Sequence, residues 1–588
     1  MILSRKMFNF SNQVGLFTSQ SRVWIVRARS PVAFRPLPPT WRHFTSQSQP
    51  STSRGSFNLV RSCSPWSNDF SGSPRMRIVL QSTFYAVCIV GLTWIVNSHI
   101  FPKDTAQERH DQQSCYASQR EVRLAIDELR KAFPGINAVT THPDALKAYG
   151  FSENSYHPAS PHSVVVRPKT TEDVVKIVNI SRKFMLPITA YSGATSLEGH
   201  TSGYPSGSIC LDMSGMDQIL EINEADSDLT CQSGARWEDI NQALEDKGIP
   251  LFFPLDPGPG ATIGGMIGTG CSGTNAVRYG TARAEWFLNI TVVLPNGEVI
   301  KTRRRARKSA AGFDITKMFI GAEGTLATLR LAPVFPTKVA MAQFPDVEHA
   351  VRAVQEILST PYGPHIQCVE LLDDNMMGAI NKAGLVDHPY PTKDTLFFKI
   401  QGDPIAIRNT YEAIRTSVMK HGSNRFEFAA TDDEAQDLWQ NRKYALSSTI
   451  AANPGTRCWT TDVCVPVSRL PQLVLETKKD LADSSLLSTI GGHVGDGNFH
   501  ALILFHNDEE LKSVRDAVRR LVHRAIALDG TCTGEHGVGI GKKEYLVDEL
   551  GEGTVELMRI IKQAVDPLNL MNPGKLYPER RKASFKFE

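Results

Sequence analysis

Not one Asp or Glu occurs among the first 68 of 588 residues, which argues against a folded surface there, since such surfaces interleave charges of both signs. No CxxC pair is found among the ten cysteines, removing thioredoxin-like and zinc-ribbon readings. Cys458 and Cys464 carry too little signal for a disulfide, and the thiols read as buried. No P-loop sequence is present, so Walker-type nucleotide hydrolysis is excluded. GTGCSG matches GxGxxG at Gly268, Gly270 and Gly273. No strand leads into it and no amphipathic helix leads out, which excludes a Rossmann site. No internal repeat of fixed period is apparent.

What fills the acid-free stretch is nine basic side chains, from Arg5 to Arg61, among many serines. That bias marks residues 1–68 as a mitochondrial transit peptide. Without a folded reader of nucleic acid, it gives no reason to expect a nucleic-acid partner. After Arg75 and Arg77, residues 78–98 contain no charged side chain and are long enough for one transmembrane helix. Arginines precede this span, and a neutral balance of Lys103, Asp104, Glu108 and Arg109 follows it. The positive-inside tendency then leaves the leader in the matrix and the catalytic body in the intermembrane space, anchored to the mitochondrial inner membrane. With the nine leader cations set aside, 55 basic side chains face 61 acidic ones, and the net charge moves from +3 to −6. Such a body suits a basic protein partner.

Periodicity predicts a helix over residues 120–133, with Val122, Ile126 and Leu129 on one face. Short strands are expected at 163–168, 187–191, 208–213 and 229–233. A helix should open at Thr171, and another should carry Trp237, Ile240 and Leu244 and end at Gly248. Residues 289–301 read as a hairpin with Asn296-Gly297 at its tip. The basic run Arg303 to Lys308 reads as a solvated loop.

Two loops look built to hold a phosphate-bearing ligand. SGATS, Ser192 to Ser196, offers small side chains and free backbone N–H groups after a strand. The stretch from Pro254 to Thr281 is too glycine-rich for a helix or regular strand, and is expected to wrap a ligand closely. A second pair of motifs points to metal-assisted chemistry. HVGDGNFH holds His493 and His500 seven residues apart, positions that a straight strand would turn to opposite faces. Gly495 and Gly497 permit the turn that brings both imidazoles to one ion. TGEHGVG adds Glu535 as an oxygen ligand, and its neighbour His536 should point elsewhere, free to act as a base. Two His and one carboxylate leave an open coordination position, as catalytic metals require.

SGATSLEGH, DPGPGATIGG and IGAEGTLA resemble the flavin-binding domain of the vanillyl-alcohol-oxidase family. HVGDGNFH, TGEHGVG and the terminal DPLNLMNPGK resemble its FAD-linked 2-hydroxyacid dehydrogenase branch. The likeness runs from Tyr156 to Pro578. It implies an α+β fold: a two-subdomain PCMH-type FAD-binding domain over residues 156–336, then an antiparallel-sheet substrate and metal domain over 337–578. A stalk and helical segment, 99–155, would precede them. FAD would lie against Ser192, Gly193, Ala194, Thr195, Ser196, Pro257, Gly258, Ala261, Thr262, Gly264, Gly265, Gly268, Thr269, Gly273, Glu323, Gly324 and Asn572. Some relatives attach flavin to a His in the first loop; Thr195 stands at that place, implying noncovalent FAD. His493, His500 and Glu535 would hold a divalent metal, Zn or Mn.

The same resemblance implies oxidation of a small D-2-hydroxy acid such as D-lactate, with cytochrome c as electron acceptor. His536 would take the hydroxyl proton, Asn498 would lie beside the substrate, and Arg442 would clamp its carboxylate. A planar, permanently charged fork is the chemically apt partner for a carboxylate. In related D-2-hydroxyglutarate dehydrogenases a KYD lysine helps hold a second carboxylate. Here the element reads TTD with Thr460 at that place, favouring a monocarboxylate. A D-2-hydroxyglutarate dehydrogenase and a non-redox, flavin-dependent ether-lipid transferase stay open as alternatives.

Overall fold

The computed structural model describes residues 116–579, apart from 153–154, 324–325 and 385–388. The expected transit peptide, the expected span, residues 99–115 and Gly324 lie outside the described residues. Among the described residues no helix is long and apolar enough to cross a membrane.

The first layer is a small sheet of β1 (Val139–Thr140), β2 (Val164–Val166), β3 (Ile188–Tyr191) and β4 (Ile209–Asp212), in the order β1-β2-β4-β3. β2, β4 and β3 are parallel, and β1 pairs antiparallel to β2. All three valines of β2 are buried, as a strand covered on both faces requires. Helix Gln119–Ala132 starts in a reciprocal box between Ser118 and Glu121, which satisfies two otherwise orphaned backbone donors. Its Val122, Ala125 and Leu129 share a core with Ile177 of helix Thr171–Phe184 and with Val164 and Ile209. The helix expected over residues 120–133 is present, and its Val122 and Leu129 are core side chains with Ile126 packed against them.

The second layer contains β5 (Ile219–Asn223), β6 (Asp228–Cys231), the short β7 (Leu251–Phe252), β8 (Phe287–Val293), β9 (Val299–Lys301), β10 (Leu326–Arg330) and the short β11 (Ala332–Pro333). β7 pairs with β11; the other five form a sheet ordered β5-β6-β10-β8-β9, antiparallel throughout. β8 and β9 are the expected Asn-Gly hairpin. In the basic loop, Arg305 is pinned to Asp226 and Asp228.

One expectation fails here. The glycine-rich stretch 254–281 contains helices Ile263–Thr269 and Ala276–Tyr279. Ile263, Met266 and Ile267 are fully buried, each contributing about 1.5–3 kcal/mol. That outweighs the roughly 1 kcal/mol cost of each helical glycine, Gly264, Gly265 and Gly268. Burial overrides propensity.

The third layer is built from β12 (Thr337–Phe344), β13 (Ile366–Leu372), β14 (Asp394–Gln401), β15 (Arg425–Phe428), β16 (Arg457–Thr460), β17 (Val463–Cys464), β18 (Ser488–Gly492) and β19 (Asn498–Phe505). The order is β15-β12-β14-β13-β18-β19-β16, with β17 also on β19. Alternation divides its two faces. Val369 and Leu371 of β13, and Phe499, Ala501, Ile503 and Phe505 of β19, enter a core with helices Val347–Leu358, Leu470–Asp483 and Asp508–Ala527. Glu370, His500 and Leu502 therefore point the other way. A one-residue slip would drive His500 into hydrocarbon, so the register is strongly specified.

The chain then returns to its first layer. Met571 forms a parallel bridge with Ile188. Ile188 N–H donates to Leu570 O and Asn572 N–H donates to Ile188 O, both at 2.8 Å.

Candidate active site

A cavity of about 690 Å³ is lined by residues from all three layers, including Tyr191, Leu211, Val292, Thr460, Gly491, His500 and Leu502. Every described residue expected to cradle FAD lines it, from Ser192 to Asn572. Ala194, Glu323 and Asn572 hold positive φ of 53°, 61° and 51°. Such strain in non-glycine residues persists where surrounding structure imposes it, commonly at ligand sites. Ser192 Oγ, Ser233 Oγ, Trp237 Nε1 and Thr262 Oγ1 are buried in the cavity wall without hydrogen-bond partners among the described residues. Buried polar atoms rarely go unpaired, so this wall suits a ligand rich in hydrogen-bonding groups. The residues present fit FAD.

At one end, β18 and β19 bring the two expected histidines together. Gly491 lies opposite His500, and His493 opens the connecting turn. Asp496 N–H and Asn498 N–H donate to His493 O at 3.0 and 3.3 Å. Gly497, at φ +81°, takes the left-handed conformation that completes the turn.

The side chains converge on Glu535. His493 Nε2 lies 3.1 Å and His500 Nε2 3.2 Å from Glu535 Oε1. Their other nitrogens are held from behind: His493 Nδ1 by Glu370 Oε1 at 2.7 Å, His500 Nδ1 by Thr461 O at 3.0 Å. An oxygen on Nδ1 and an aimed Nε2 is the arrangement that orients metal-binding imidazoles. One ligand atom from each of His493, His500 and Glu535 falls within a 4.8 Å span, so this trio fits a divalent ion.

Electrostatics follow from burial and charge. Burial opposes a charged His493, yet Glu370 and Glu535 on either side raise its pKa well above the usual histidine range. Burial likewise opposes a charged Glu535, but His493 and His500 hold its pKa well below the carboxylate range.

His536 does not point away from its neighbour, as an extended segment would require. Loop 533–539 is turned, because Asp462 Oδ2 accepts from Glu535 N, His536 N and Thr533 Oγ1, each at 2.8 Å. His536 thus stacks on His500 with ring centroids 5.0 Å apart, and its Nε2 is 3.9 Å from Glu535 Oε1. Both side chains line the cavity. Burial, with His500 and Lys542 adding to it, pushes the His536 pKa down to about 4 against the pull of Asp462. The ring is neutral at physiological pH and has a lone pair to offer.

Arg442, on helix Asp432–Lys443, lines the same cavity. Its Nε and Nη2 each lie 2.7 Å from Glu370 Oε2. Asn498 is buried where β19 begins, with Nδ2 donating to Asp462 Oδ1 at 2.8 Å and to Val463 O at 3.0 Å. It holds Asp462 in position.

Glu370 and Asp462 escaped sequence reasoning. Glu370 is fully buried and bridges Arg442 to His493. A lone acid in the apolar run CVELL was its only signal. Asp462 closes the TTD element, where attention fell on Thr460, itself a cavity residue.

Residues 162–303 match the FAD binding domain, and residues 336–576 match the C-terminal domain of FAD linked oxidases. The chain belongs to the FAD-linked oxidase family. It is 43% identical over 440 residues to D-lactate dehydrogenase (cytochrome) 1, mitochondrial, of Saccharomyces cerevisiae, covering 72% of this chain and 74% of that one. It is 43% identical over 453 residues to D-lactate dehydrogenase (cytochrome), mitochondrial, of Arabidopsis thaliana, covering 75% and 78%. Among solved structures, 4-ethylphenol oxidase from Gulosibacter chungangensis superposes with a TM-score of 0.66 at 20% identity, over 79% of this chain and 99% of that one. That likeness establishes the PCMH-type fold.

Proposed function

We propose that this chain is an FAD-dependent D-lactate dehydrogenase that converts D-lactate to pyruvate and passes the electrons to cytochrome c. The observation that carries the reading is one continuous cavity joining the flavin cradle to His493, His500, Glu535, His536 and Arg442. Identity above 40% to two D-lactate dehydrogenases (cytochrome) supports the substrate and the acceptor.

Noncovalent FAD supplies the two-electron acceptor when bound. A divalent ion, if bound, would be held by His493, His500 and Glu535 and would supply Lewis-acid chemistry. The remaining work belongs to side chains. Arg442 binds the carboxylate, with Glu370 fixing the guanidinium. His536 takes the hydroxyl proton as the C2 hydrogen leaves with its electron pair. Met376, Ala445, Leu446 and Leu502 add apolar surface to the lining of the same cavity. Thr460 offers no cation to a second carboxylate, favouring lactate over 2-hydroxyglutarate.

Anaerobic mixing of the holoenzyme with each lactate enantiomer tests the proposal. D-lactate should bleach the flavin absorbance and L-lactate should not; equal bleaching by both, or by neither, would refute it. The leader composition, the apolar run 78–98 and the mitochondrial relatives support delivery to the mitochondrion and anchoring in its inner membrane, facing the intermembrane space. A body of net charge −6 should meet basic cytochrome c faster at low salt. Turnover with cytochrome c is expected to fall steadily between about 20 and 300 mM ionic strength as screening shortens the reach of charge, while flavin reduction by D-lactate stays constant.

A further inference from the structure

A buried chain of charge connects the flavin loop to the loop that carries the base. Glu198 follows the cradle residues Thr195 and Ser196 and is 1% exposed; Lys542 is 6% exposed and Asp462 is 1% exposed. Lys542 Nζ lies 3.2 Å from Glu198 Oε1 and 3.5 Å from Asp462 Oδ2. The backbones meet as well: Ile540 N–H donates to Glu198 O at 2.8 Å. Gly541 permits the approach, since a Cβ there would collide with the Glu198 carboxylate. Asp462 in turn holds the backbone N–H groups of Glu535 and His536.

We infer that Lys542 is a positioning residue, a buried cation between Glu198 and Asp462 that fixes the distance from His536 to the flavin cradle. The inference rests on the proposed oxidation and deepens it. Two carboxylates buried within reach of each other need a shared cation, because an uncompensated buried charge is strongly destabilising. That need explains the ion pairs but not their place. The chain joins the element that lies against the flavin to the element that takes the proton, and these belong to different layers. A displacement of about 1 Å between reacting groups can cost about a hundredfold in rate.

The test uses the FAD-loaded protein and single-turnover flavin reduction by D-lactate, expressed per bound flavin. Glu198→Gln and Lys542→Met are expected to lower the limiting rate at least tenfold, with flavin still bound and the D-lactate concentration for half-saturation changed less than threefold. Lys542→Arg, which keeps the cation, should recover most of the rate. The Glu198→Gln, Lys542→Met double variant should be no slower than Lys542→Met alone. If Lys542→Met does not fold, Glu198→Gln decides. A lowered melting temperature with an unchanged rate per bound flavin would overturn the inference, since that is what a purely structural ion pair predicts. Failure of the wild-type protein to bleach with D-lactate would instead refute the function itself.

Discussion

His536→Ala is expected to bind FAD normally yet lose flavin reduction by D-lactate, with a rate at least 100-fold and up to about 10⁴-fold lower, the range that general-base catalysis supplies. The side chain is one of many that line the cavity, so cofactor content should not move. Rapid-mixing absorbance under anaerobic conditions reads both quantities in one experiment. The pH dependence has a definite sign. Only the neutral ring accepts a proton, and its pKa is pushed down to about 4. Flavin reduction attributable to this base should therefore be level from pH 8 to about 5 and decline as pH approaches 4. With metal kept saturating across the range, a decline centred near 6.5, the ordinary histidine value, would show that another group is the base.

The second large effect concerns the ion site. His493→Ala or His500→Ala should abolish stoichiometric binding of Zn²⁺ or Mn²⁺ and lower turnover by about 10³-fold or more, since Lewis-acid stabilisation is worth several kcal/mol. Metal analysis of the purified variants checks the first half, and D-lactate turnover the second. Full activity in a metal-free variant would remove the ion from the reaction. Binding should also depend on pH. His493 Nε2 faces Glu535, and the two flanking carboxylates raise its pKa well above the usual range. A cation arriving at that nitrogen must displace a proton. Affinity for metal should rise with pH and the ion should be released on acidification, with proton release measurable on loading.

The parts of this site legible in the sequence were those where composition is itself the signal. Glycines beside paired histidines, and an acid beside a histidine, announce a turn crowded with ligands, and the structure brings all four side chains together. The SGATS loop was likewise readable, because small residues after a strand have few other uses. Glu370 was hidden since its partners, Arg442 and His493, come from distant segments that only the fold brings to it. Lys542 and Glu198 looked like ordinary loop charges for the same reason. The helix Ile263–Thr269 was missed because its stability comes from tertiary burial, which local propensity does not record.

Because the pairing of Met571 with Ile188 brings Asn572 to the cradle from nearly 400 residues further along the chain, the cofactor compartment cannot close while the protein is still emerging from a ribosome or an import channel. Flavin capture is then a late event, and a pool of nearly finished, cofactor-free molecules exposed to proteolysis should accumulate whenever riboflavin supply is short.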